Sequence, residues 1–116
     1  MKEFREASEV ALPGQRAIAL FTTGDKLTLN SKGDGQTGNW RISTARVEKI
    51  EKVIIYLRKE GETGGQIWLG DFSDVEPSPQ ADRRIIRFTK FRIVGVTQSD
   101  WSQFGNGGQN PFAYVN

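Results

Sequence analysis

Apolar residues fall along this chain in short runs fenced by polar segments rich in glycine and proline. Residues 16–21 (Arg-Ala-Ile-Ala-Leu-Phe) have strand character, Thr22-Thr23-Gly24-Asp25 is turn material, and Leu27-Thr28-Leu29 alternates behind it. That pattern predicts a hairpin. Residues 31–39 hold three glycines and no apolar side chain, which predicts an exposed, mobile loop before Trp40-Arg41-Ile42 re-enters the core. Two short helices are expected. In one, Phe4, Ala7 and Ala11 share a face until Pro13-Gly14 ends it. The other is capped by Ser43, carries Val47 and Ile50 on its apolar side and the pair Glu48/Lys52 outside, and runs to about Lys52. Residues 53–59 and 66–72 then read as two strands around Gly61-Glu62-Thr63-Gly64-Gly65, the strongest hairpin signal in the chain.

Past the break Pro77-Ser78-Pro79, a long strand begins whose apolar residues change sides. Ile86 and Phe88 share one face of a strict two-residue period, whereas Phe91 and Ile93 share the other. A β-bulge at Thr89-Lys90 restores the register, and it turns Arg87 and Arg92 to one side and Lys90 elsewhere. About six strands and two helices, with no alternation of strand and helix, predict a mainly β (α+β) fold. The expected form is one domain spanning residues 1–116, a small antiparallel or mixed β-barrel with helices plugging its ends.

Composition narrows the chemistry. With no histidine and no cysteine, serine–histidine and cysteine–histidine catalysis, thiol redox cycling and ordinary zinc sites are excluded. The missing cysteines also make a reducing cytoplasm the simplest location. No apolar run approaches the roughly 20 residues of a spanning helix, so no membrane association is expected. The only close carboxylate set is Asp71, Asp74 and Glu76, which a magnesium-dependent enzyme would need. Leading into a proline-rich break, these acids read as solvated loop residues, and the chain reads as a non-enzyme with no cofactor and no metal.

Charge is distributed more tellingly than its total of +2. Residues 1–80 carry 11 basic and 12 acidic side chains, whereas all five basic residues of the remainder fall within residues 83–92. Arg83, Arg84, Arg87, Lys90 and Arg92 thus form a local cationic stripe, suited to a phosphate backbone or to a solvated sheet face.

The order of elements resembles the PUA-like barrels, the superfamily that includes the EVE, ASCH, YTH and SRA domains. The resemblance is carried by Gly38-Asn39-Trp40-Arg41-Ile42-Ser43 leading into a short helix, the strand Val53-Ile54-Ile55-Tyr56, then Ile67-Trp68-Leu69-Gly70-Asp71. The late strand Phe91-Arg92-Ile93-Val94-Gly95-Val96 completes it. It implies a reader of DNA or RNA that holds a base in an aromatic-walled pocket. Trp40 and Trp101 would bound that pocket and Asn39 would meet a base edge, while Trp68, inside an apolar strand, belongs to the core. The competing expectation is a protein-interaction module, an inhibitor or accessory subunit, whose aromatic tail (Trp101, Phe104, Phe112, Tyr114) packs on a partner.

Overall fold

The computed structural model describes residues 2–4, 9–22, 27–40, 42, 49–57, 65–79, 82–98 and 112–115. They form one mixed β-sheet of seven strands: β1 Ala17–Thr22, β2 Leu27–Leu29, β3 Gly35–Trp40, β4 Lys52–Leu57, β5 Gly65–Pro77, β6 Arg84–Thr97 and β7 Phe112–Val115. Their order across the sheet is β2-β3-β6-β5-β4-β1-β7. No helix long and apolar enough to cross a membrane occurs among the described residues.

The centre of the sheet follows from side-chain chemistry. β1 (Ala-Ile-Ala-Leu-Phe-Thr) and β4 (Lys-Val-Ile-Ile-Tyr-Leu) are apolar on both faces, and the two pair in parallel, Ile18 opposite Val53 and Leu20 opposite Ile55. A strand buried on both sides reads as an unbroken apolar run, the usual signature of parallel pairing. Alternation along the two strands feeds two cores. Ile18, Leu20, Val53 and Ile55 enter a larger cluster with Trp40, Ile42, Ile50, Ile86, Phe88 and Phe91. On the other face, Ala17, Ala19, Phe21, Ile54, Tyr56 and Ile67 are covered by Phe4 and Ala11 from the N-terminal segment. Each fully buried aliphatic or aromatic side chain contributes about 1.5–3 kcal/mol.

The hairpin expected from residues 16–29 does not form. β1 sits between β4 and β7, while β2 pairs antiparallel with β3 on the far side of the sheet. β1 instead has a longer partner on each edge, β4 and β7, and its two faces are buried in the two cores. β3 is the second correction: it runs Gly35–Trp40, so residues 35–39 are strand where a mobile loop was expected. Gly35 is needed there, because a Cβ would lie 2.2 Å from the Thr28 carbonyl oxygen.

The sheet is not a closed barrel. It curls enough for Ile86 and Phe88 of β6 to share a core with Ile18 and Leu20 of β1, yet the edge strands β2 and β7 do not pair with each other. The two helices are not borne out either. Their centres, residues 5–8 and 43–48, lie outside the described residues, and the described flank of the second is not helical: Lys49–Glu51 leads straight into β4, with Lys52 its first strand residue. The Glu51 and Lys52 N–H groups both donate to the Arg16 carbonyl, which draws this segment into the β1–β4 ladder instead.

The β4–β5 hairpin forms as expected, and β5 runs on to Pro77 to pair with β6 along its whole length. The bulge in β6 is present. Leu69 faces Arg92 and Asp71 faces Thr89, so Gly70 alone opposes Lys90 and Phe91. Lys90 takes a left-handed conformation with φ of 53°. The extra residue returns Phe91 to the face already occupied by Ile86 and Phe88, and all three enter one core. Two neighbours hold this kink. Gly70 accommodates it, since a Cβ there would sit 3.2 Å from both the Thr89 oxygen and the Phe91 ring. The Phe91 N–H donates to the Gly33 carbonyl at 2.8 Å, anchoring the turn between β2 and β3 on the bulge.

Candidate functional site

The cationic stripe lies on β6 and the residues just before it, but it divides into three environments. Arg83 and Arg84 stand at the far end of the β5–β6 hairpin, where the Arg83 carbonyl accepts from the Ser78 N–H and from Arg84 Nη1. At about 3.3 Å of rise per residue, Arg84 lies roughly 20 Å from Lys90. The stripe is therefore a line rather than a cluster.

Arg87 is the second environment. Strand alternation puts it on the face opposite Ile86 and Phe88, beside two acids of β5. Its guanidinium donates to Glu76 Oε2 and lies 3.7 Å from Asp74 Oδ2, so two carboxylates offset one cation. The hydrogen bond that Arg87 donates to Glu76, the charge of Glu76 and that of Asp74 favour the charged guanidinium. Exposed pairs of this kind fix the register of the two strands more than they add stability.

The bulge is the third. Lys90 is 79% exposed and lies 4.0 Å from Asp71 Oδ2, while Lys52 of β4 donates directly to Asp71 Oδ1. Arg92 is also exposed, and its Nη1 donates to the Lys90 carbonyl at 2.8 Å. The Lys52 hydrogen bond holds the Asp71 carboxyl below its ordinary range. Partial burial opposes that, and the charges of Lys52, Lys90 and Arg92 reinforce it. Lys52 and Lys90 thus flank one acid with the charge of Arg92 nearby, which among the described residues leaves two positive charges in excess. Glu51, next to Lys52 in sequence, accepts the Arg16 N–H through Oε2 at 3.1 Å.

The carboxylates themselves were misplaced by sequence reading. Asp71, Asp74 and Glu76 lie on β5 and face cations across the ladder, instead of occupying a solvated loop. Among the described residues, no group of acids is arranged to hold a metal ion.

The aromatic residues do not join the cations. Trp40 is 6% exposed and packs with Ile86, Phe88 and Phe91, on the face turned away from Arg87 and Arg92. Its Nε1–H donates to the Thr37 hydroxyl at 3.2 Å, and Thr37 is itself fully buried, so the indole is satisfied inside the core. Trp40 therefore serves the core and does not present a wall to a solvent-side pocket. Trp68, expected in the core, sits at its rim: it stacks on Phe91 at 5.0 Å between ring centres and donates from Nε1 to the exposed Gln66. The backbone of Asn39 lies within β3, beside the register shift between Thr37 and Trp40. Trp101 and Phe104 lie outside the described residues. The end of the tail forms β7, paired with residues 17–20 of β1, and Tyr114 packs against the larger core. At least that part of the aromatic tail is built into the fold.

Sequence reasoning missed Lys52 and Asp71 as partners of the stripe. A signal was present, because the alternation of Lys52-Val53-Ile54 and of Ile67-Trp68-Leu69-Gly70-Asp71 sets both residues on the same face once the hairpin is drawn. No family model, curated protein or solved structure matches this chain.

Proposed function

We propose that this chain is a non-enzymatic nucleic-acid-binding module that grips a phosphodiester backbone at the β6 bulge. Lys90 and Arg92 hold the phosphates, and Lys52 adds charge behind them. The observation that carries this reading is the excess of two positive charges at the most exposed point of the stripe, around Asp71. Charge there attracts any phosphate backbone and carries no base information, so binding is expected to be tolerant of sequence and strongly salt-dependent. The PUA-like resemblance points to the same class of ligand, although this sheet stays open and Trp40 is not available to stack a base.

The test is fluorescence anisotropy with labelled DNA duplex, single-stranded DNA and RNA over a salt series from about 50 to 200 mM. Binding by the wild type is expected to weaken steeply with salt. Lys90→Ala/Arg92→Ala should flatten the salt slope by roughly two and weaken binding at low salt at least tenfold. Arg87→Ala should change it little, because its charge already faces Glu76 and Asp74. Absence of binding to every probe at low salt would sink this reading.

The second reading, a protein-interaction module, is favoured by one feature. Among the described residues, β7 is the outermost strand on its side of the sheet, and such an edge accepts an added strand from a partner.

A further inference from the structure

The strongest feature outside the stripe itself is the acid at its centre. Asp71 comes from β5, opposite Thr89 at the bulge, and its two oxygens point at different cations: Oδ1 at Lys52 and Oδ2 at Lys90, the latter 4.0 Å away. A carboxylate between two ammonium groups stands where a phosphate oxygen would stand, with the same charge and similar acceptor geometry. Lys52 keeps it in position, as its register partner on β4. The other nearby acids are engaged elsewhere, Glu51 with the Arg16 N–H and Asp74 with Arg87.

We infer that Asp71 is an internal competitor for the anion, an affinity-setting residue that occupies Lys90, with the charge of Arg92 nearby, until a phosphate displaces it. The inference rests on the nucleic-acid reading above and adds the direction of one residue's effect. Removing an acid from most folds disturbs an ion pair and weakens whatever the pair supports. Here removal frees cations for the ligand, so binding tightens. Unit charges 4 Å apart in water interact by an amount that corresponds to roughly a fivefold change in an equilibrium constant, which sets the expected scale.

Asp71→Asn keeps the shape and removes the charge. With a labelled DNA duplex at low salt, this variant is expected to bind at least threefold tighter than wild type. Its salt slope should steepen by roughly one, because one more phosphate is neutralised, and the advantage should shrink as salt rises. Glu3→Gln, which removes an equal charge from an exposed position on the N-terminal segment, should leave affinity within twofold of wild type. Thermal melts of all proteins show whether each is folded, and Asp71→Ser provides the same charge removal should the Asn variant not fold. Equal or weaker binding by a folded Asp71 variant, with the wild type binding, overturns the inference and leaves the nucleic-acid reading standing. Equal tightening by Glu3→Gln overturns it too, since net charge alone would then account for the tighter binding. No binding by the wild type or by either Asp71 variant removes both.

Discussion

The two halves of β6 carry similar side chains and meet opposite surroundings. Before the bulge, residues 84–88 lie between β3 and β5, and Arg87 faces Asp74 and Glu76. Beyond it the edge once held by β3 passes to the Gly33 carbonyl and then to the N-terminal segment, whose Lys2 and Phe4 exchange hydrogen bonds with Val96. There Lys90 shares Asp71 with Lys52, and the exposed Arg92 donates to the Lys90 carbonyl. A cationic strand is thus defined by what its neighbour presents. The first half is a cross-strand ladder that fixes register, and the second is a patch with charge to spare.

The largest effect that separates the halves is in the core. Phe88 is 1% exposed and lies among residues from both neighbouring strands, so Phe88→Ala should cost about 3–5 kcal/mol in urea denaturation. Phe91 is 8% exposed and stacks on the rim residue Trp68, so Phe91→Ala should fall at the lower end of that range. An equal or greater loss at Phe91 would break the comparison, because the bulge side would then be as much a part of the core as the ladder side.

A smaller effect tests the hinge between the halves. Lys90 holds a left-handed backbone, which costs a residue with a Cβ about 1–2 kcal/mol and a β-branched one more. Lys90→Gly should therefore be neutral or slightly stabilising, and Lys90→Val should lose roughly 2–3 kcal/mol relative to it. Equal stability of the two variants would show that the kink does not sit at residue 90. The pair also separates conformation from charge, since Lys90→Gly should lose nucleic-acid affinity without losing stability.

The bulge was legible in the sequence because one conflict exposed it: Phe88 and Phe91 cannot both be buried on a regular strand. The β4–β5 hairpin was legible from its β-branched runs and the glycine turn between them. β3 was not, because its burial rests on Thr37 and on glycines that admit close neighbours; a Cβ on Gly38 would lie 3.0 Å from Ile85. Polar composition there reports tight packing, and pattern reading takes it for exposure. The site was half legible. The cations could be counted, but their partners depend on β5 running on to Pro77. Ending that strand at residue 72 left Asp74 and Glu76 in a loop and hid the ladder that neutralises Arg87. Trp40 illustrates the same limit. A tryptophan beside a glycine-rich stretch is a fair candidate for a pocket wall until the stretch proves to be a strand with a buried threonine waiting for its indole.

The finest distinction between the halves is in their response to acid. Lys52 first, and then the surrounding positive charges, lower the folded pKa of Asp71 below its ordinary value of 3.8. A carboxyl whose folded pKa is depressed contributes stability that is fully present above the unfolded value and is lost as pH falls through the folded one. Wild type should therefore be more stable than Asp71→Asn above the ordinary carboxylate range, and the two should converge as pH falls well below it. Asp74→Asn, on the ladder side, should cost less stability than Asp71→Asn at neutral pH, because Glu76 still faces Arg87. Urea midpoints across pH for the three proteins check this. Convergence at low pH combined with tighter nucleic-acid binding by Asp71→Asn at neutral pH would mean that one carboxylate stabilises the fold and restrains the ligand at once. A site that loses affinity through the ion pair that helps to hold it together accounts for both a depressed acid and an exposed lysine at the same kink.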